Sequence, residues 1–157
     1  MERSPMTRQG YEQLQAKLKH LTEEELPRIQ KAIGTALELG DVSENAELDA
    51  AREESWRTER MIAELERQFS IAEIVDESKR PKDALAIGAR VKLYDIKFKE
   101  EFECFLLGEG ETRDGLDTVS VNSPMGRALL GHKPGEEVEF QGPRGPLQYR
   151  VLSFRYE

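Results

Sequence analysis

The chain has 157 residues and a formal net charge of −8, with 34% charged and 38% hydrophobic side chains. That length suits one domain or two small ones. No apolar run is long enough to span a membrane, and the opening MERSPMTRQG lacks an apolar signal core, so a cytoplasmic protein is expected. The acidic balance argues against a general nucleic-acid binder, because counterion release needs clustered Lys and Arg, although a narrow basic patch or contact through a basic partner stays open.

Residues 7 to about 76 read as helix. Thr7 is a cap for a helix beginning TRQGYEQL. Leu14, Leu18 and Leu21 lie on one stripe, which resumes at Leu26, Ile29, Ile33 and Leu37. Pro27 falls between the two sets and predicts a bend or a shift of register. A second pattern, Leu48, Ala51, Ser55, Thr58, Ile62, Leu65, Phe69 and Ala72, steps by three and four as a heptad seam, small and polar near its start and large and apolar near its end. Each helix is amphipathic and needs a partner. A short turn joins them, so an antiparallel coiled-coil hairpin is expected, with arms on the order of 45 Å long and a tip less stable than its base.

The polar stretch ESKRPKDA, residues 77–84, reads as a linker. Beyond it the period changes to that of strands, in RVKLY, EFECFLL, DTVSVN, EEVEFQG and QYRVLSF. One helix interrupts them, with Ser123 as N-cap, Pro124 at its first position and Gly131 at its end. The fold class expected is α+β in two domains: a helical hairpin over 1–76, and an antiparallel β-sheet with a short helix over 85–157. Phe98, Phe102, Phe105 and Phe140 are expected to build the sheet core. Cys104, the single cysteine, leaves no internal disulfide or multi-cysteine metal site, and reads as a buried apolar filler.

The hairpin turn, LELGDVSENAELDAAREE over 37–54, carries more than a turn needs. Gly40 can end the first helix, and Asp41 to Glu44 has the spacing of a capping box with acids that favour the helix dipole. Yet Asp41, Glu44, Glu47 and Asp49 crowd one place, and Val42 has no core to enter. Asp41 and Glu44, three apart, can offer oxygens to one cation. The tip has no His or Cys, so a hard ion such as Mg²⁺ suits it better than zinc. Two exposed carboxylates make half a site, to be completed by another macromolecule. A second metal recruited there would activate water for attack at phosphorus. Local physics alone leaves both the capping and the metal reading open.

At these residues the chain resembles a known family. GDVSENAELDAAREE is similar to the coiled-coil tip of the GreA/GreB family of bacterial transcript cleavage factors. MTRQGYEQLQAKLKHL is similar to the family's opening, and SVNSPMGRALLGHKPGEEVEF to its C-terminal signature, so the likeness covers nearly the whole chain. The resemblance implies a monomeric factor that binds RNA polymerase through an FKBP-like C-terminal module at the rim of the secondary channel. It implies a tip that enters this channel and meets the nascent RNA 3′ end. Asp41 and Glu44 would then be the acids that share Mg²⁺ with the polymerase and promote cleavage of backtracked RNA. Ser43 and Asn45 would support the tip. The chain would be no nuclease by itself. Leu48 replaces the family's usual Tyr after Asn-Ala-Glu, where an aromatic would help position RNA or the tip; Leu48 also fits the heptad seam. The rival readings are a channel-binding regulator that does not cleave, and a coiled-coil scaffold indifferent to the tip acids.

Other residues carry weaker signals. Arg52, Arg57 and Arg60 follow the tip and can touch RNA phosphate, or pair with Glu53, Glu54 and Glu59 as a solvated face. Trp56 lies off the seam, as a partner anchor or a cover for the helix. His20 and His132 suggest surface or structural roles. Met125, Leu129 and Leu130 can serve the core or a docking face, and GPRGP over 142–146 reads as a turn.

Overall fold

The structure, a computed structural model, describes residues 3–39 and 45–156. Residues up to 11 pack with those from 71 onward into one compact unit, and residues 12–70 form another. The helical pattern in the sequence runs to about 76, whereas the contacts divide the chain at 70/71 and assign the first residues to the sheet unit.

In the helical unit, α1 (Arg8–His20) runs into a π-helical turn (Leu21–Glu25) and then α2 (Leu26–Glu38). Pro27 explains the turn. It has no N–H to give to the carbonyl four residues back, so the regular ladder fails just before it. The Leu26 N–H bonds instead to the Leu21 carbonyl, five residues back. The extra residue shifts the stripe by one. Leu14 and Leu21 are buried before the turn, Ile29 and Ala36 after it. The register shift expected at Pro27 is therefore present. Leu37, expected on the stripe, is 44% exposed, because the shifted seam takes Ala36 in its place.

The facing helix, α3 (Ala46–Ile71), buries Leu48, Ala51, Ser55, Thr58 and Leu65, with Ile62 and Phe69 half-buried. The heptad seam is thus the face of α3 that leaves water. Arg28 on α2 bonds Glu54 on α3, and Ala36 bonds Asn45. Numbers rise on one helix as they fall on the other, so the pair is antiparallel. This register sets the π turn and Pro27 level with Thr58 and Ser55.

In the sheet unit, β1 (Ser4–Met6) runs parallel to β2 (Ala72–Ile74), pairing Ser4 with Ala72 and Met6 with Ile74. The sequence reading missed both strands: three residues are too few to show a period, and AEI prolongs the heptad rhythm. The main sheet comprises β3 (Ala89–Asp95), β4 (Glu100–Leu107), β5 (Asp117–Ser120), β6 (Glu137–Gly142) and β7 (Gly145–Tyr156). Its order is β5-β4-β3-β7-β6. The pairs are antiparallel except β4–β5 at one edge, which is parallel. Strict alternation on β3 sends Ala89, Val91 and Leu93 into the core, together with Cys104 and Leu106 of β4 and Val151 of β7. Over this core lies α4 (Pro124–Leu129), whose Leu129 is fully buried. The Ser123 hydroxyl caps α4 by accepting from the Gly126 N–H at 3.0 Å. Gly131, at φ 84°, takes the left-handed step that ends the helix. Phe105 is buried and Phe102 and Phe140 half-buried, but Phe98 is 61% exposed. The expectation that Phe98 builds the core is corrected: it sits in the β3–β4 turn rather than on a strand.

The start of α1 is fastened inside the same unit. The Thr7 hydroxyl accepts from the Gly10 N–H at 3.1 Å, which is the predicted cap. Glu111, only 3% exposed, then receives three donors: the Thr7 N–H at 3.1 Å, the Thr7 hydroxyl, and the Gly108 N–H at 2.6 Å. Glycine at position 10 leaves room for this carboxyl: a Cβ there would lie 2.0 Å from it and would have to displace it.

Two predictions follow from this core. Glu111→Ala leaves buried donors without an acceptor and should cost about 1–3 kcal/mol, read as a lowered denaturation midpoint; Glu111→Gln, which keeps one acceptor oxygen, should cost less. Burial, and secondarily Asp117, push the Cys104 thiol up to about 11. A pKa raised on folding gives stability that is complete below the unfolded thiol's value near 9 and is lost as pH climbs toward 11. Iodoacetamide at pH 8 should therefore alkylate Cys104 far more slowly in the native chain than in denaturant.

Candidate functional site at the hairpin turn

The first helix closes with Leu39, whose N–H bonds to the Ala36 carbonyl at 3.2 Å. The second opens at Asn45, whose Oδ1 accepts from the Leu48 N–H at 3.0 Å, an N-cap on α3. The same side chain reaches back across the turn. Its Nδ2 donates to the Ala36 carbonyl at 2.6 Å, so one amide holds the end of α2 and the start of α3 together. Ala36 also suits this place because it presents little side chain to α3. Asn45 was singled out from the sequence as a tip-supporting residue; the carbonyl that it grips could not be read there, since nothing in the pattern pairs 36 with 45.

The segment closed by this amide is 40–44. Asp41, Ser43 and Glu44, named as the candidate acids and their support, lie outside the described residues. Glu47 and Asp49 occupy the first turn of α3, where carboxylates favour the helix dipole. Leu48 is fully buried in the seam. Leu48 therefore packs between the helices, as the heptad seam predicts.

Farther along, Arg28 bonds Glu25 at 2.8 Å and Glu54 at 2.6 Å. Hydrogen bonding to Glu25, then to Glu54, raises the Arg28 pKa, and the Arg28 guanidinium holds Glu25 below its usual range. The sequence reading offered Glu54 to its neighbours on α3; it pairs across the hairpin instead. Glu53 meets Arg57 at 3.8 Å. Arg52 and Arg60 lie exposed and make no ion pair among the described residues. Trp56, between them at helical spacing, is 61% exposed. Arg52, Trp56 and Arg60 thus share one solvent face, while His20 sits beside Glu24 and His132 lies 3.7 Å from Glu136, each at the surface.

Asn45→Ala should remove both bonds at the turn and cost about 1 kcal/mol or more. Asn45→Asp keeps the cap oxygen and loses the donor to Ala36. Amide hydrogen exchange of residues 46–49 should rise strongly in the first variant and modestly in the second.

Two family models match the chain: one described as transcription elongation factor, N-terminal, over residues 4–74, and one as transcription elongation factor GreA/GreB, C-terminal, over 80–156. Transcription elongation factor GreA of Beijerinckia indica is 42% identical over 157 residues, covering all of both chains. That of Thermodesulfovibrio yellowstonii is 40% identical over 156 residues, 99% of each. Among solved structures, GreA factor homolog 1 of Thermus thermophilus is 30% identical and covers 99% of each chain, with a TM-score of 0.47. With both halves matched in order and identity sustained end to end, this chain belongs to the GreA/GreB family of transcription elongation factors.

Proposed function

We propose that this elongation factor binds RNA polymerase, inserts its hairpin turn into the secondary channel, and stimulates the polymerase's own cleavage of backtracked RNA. The observation that carries the reading is the turn itself. Asn45 ties α2 to α3 around a five-residue segment, 40–44, that contains two acids three residues apart. Asp41 and Glu44 are the residues that would hold Mg²⁺ jointly with the polymerase. The donor chemistry fits a hard cation: from Leu37 to Glu54 the chain offers carboxylate, hydroxyl and amide oxygens and neither His nor Cys. Bound there, Mg²⁺ supplies charge stabilisation at phosphorus and lowers the pKa of water.

This chain's own residues do the positioning. Asn45 fixes where the acidic segment begins and ends. Ser43 adds a hydroxyl beside the acids. The buried seam keeps both helices in register on either side of the acidic segment. Arg52, exposed on α3, offers a charge for RNA phosphate. The chain donates ligands to another active site and has no nuclease activity alone.

The test is cleavage of end-labelled RNA in a stalled, backtracked polymerase complex with Mg²⁺. The native chain should accelerate it. Asp41→Asn and Glu44→Gln should each lower that stimulation by roughly a hundredfold, with polymerase binding retained. Tight binding by the native chain without any acceleration would leave a channel-blocking regulator in place of a cleavage factor.

A further inference from the structure

We infer that the sheet unit carries a docking slot, between its β3–β4 and β6–β7 turns, for an acidic protein segment that bears one large apolar side chain. The inference stands apart from the hairpin turn and does not depend on its proposed role.

The slot begins with a turn built to display an aromatic ring. The Asp95 carboxylate accepts from the Lys97 N–H at 3.0 Å and the Phe98 N–H at 3.1 Å, and the Lys99 N–H returns to the Asp95 carbonyl at 2.7 Å. Lys99 stands at φ 57°, the one non-glycine residue in the left-handed region among those described. Such a conformation is costly without glycine and persists where the surroundings enforce it. Its result is Phe98 at the apex, 61% exposed, with the Lys97 ammonium 5.5 Å from the ring centre. The second wall is the β6–β7 hairpin, in which Gly142 pairs with Gly145 and leaves Pro143 and Arg144 at the tip. Pro143 and Pro146 fix the backbone on either side of Arg144.

Between the turns lies a hollow of about 350 Å³. Phe98, Pro143, Pro146 and Leu147 form its apolar walls, and Lys97 and Arg144 its rim. That volume is at the lower end of natural ligand pockets, suited to one large side chain. An adjoining hollow of about 450 Å³ shares Lys97 and Arg144 and adds a single acid, Glu139. Neither Lys97 nor Arg144 makes an ion pair among the described residues. In a chain with 31 acids and 23 bases, a slot rimmed by two cations and no acid is complementary to carboxylates. The apolar walls offer no side-chain donor or acceptor for base edges, and the net charge of −8 opposes a polyanion. The fitting occupant is therefore an apolar anchor flanked by Asp or Glu on a protein partner.

The experiment titrates the full-length chain into a fluorescein-labelled peptide, a Phe with two Asp residues on each side, followed by anisotropy at low salt. Saturable binding is expected, weakened roughly tenfold by Phe98→Ala and comparably by Arg144→Ala. A control peptide with Ser for Phe should bind as weakly as the variants. Phe98 and Arg144 lie outside the core, and an unchanged denaturation midpoint for each variant confirms that the slot alone was altered. No saturation below about 1 mM would overturn the inference, as would binding indifferent to both substitutions. Oligouridine that competes with the peptide and binds more tightly, with the same dependence on Phe98, would reassign the slot to nucleic acid and overturn the protein occupant.

Discussion

A missing hydrogen atom organises the helical unit. Pro27 has no N–H, so the ladder of the first helix must be interrupted, and the π turn over Leu21–Glu25 absorbs the interruption without ending the helix. The inserted residue rotates everything that follows. Ile29 and Ala36 replace the positions that an unbroken stripe would have used, and Ala36 thereby comes opposite Asn45. The closure of the acidic turn thus depends on a proline about three helical turns away. On the facing helix, Ser55 and Thr58 are buried although polar and small.

The two ends of the seam do different work. Leu65 and the half-buried Ile62 and Phe69 supply apolar burial, the dominant favourable contribution to helix pairing. Toward the turn, where Leu48, Ala51 and Ala36 are buried as well, specific polar links are added: Arg28 to Glu54, and Asn45 to Ala36. The Arg28 contacts are solvent-exposed and contribute modestly to stability; their value lies in register. The Asn45 amide joins backbone to backbone at one point.

Much of this was legible in the sequence, for stated reasons. A period of three and four marks the α3 face from Leu48 to Phe69, and the change to alternation marks the sheet. Ser123, Pro124 and Gly131 delimit a helix of only six residues because caps are written in particular residue types. What escaped has no local signature. Glu111 bonds Thr7 across 104 residues, and β1 and β2 are too short for any period to appear. Phe98 was assigned to the core on its chemistry, whereas its position in a tight turn governs its exposure. The acids of the turn stand out in the sequence by residue type and spacing, but they lie outside the described residues. The amide that closes the turn around them required knowledge of which carbonyl lies across the hairpin.

The pairing of Ser4 with Ala72 has a consequence for how the chain acquires its structure. In topological terms the helical unit is an insertion within the sheet unit, entered after Tyr11 and left before Ile71. During synthesis the first strand emerges with nothing to pair with, and its partner follows only after the whole hairpin has been made. Glu111, which completes the fastening at Thr7, follows later still. The N-terminal residues must therefore wait, unpaired, while the helices form ahead of them. A fragment cut at the apparent linker would part β1 and β2 from the sheet unit to which they belong, so neither half would inherit a complete set of contacts.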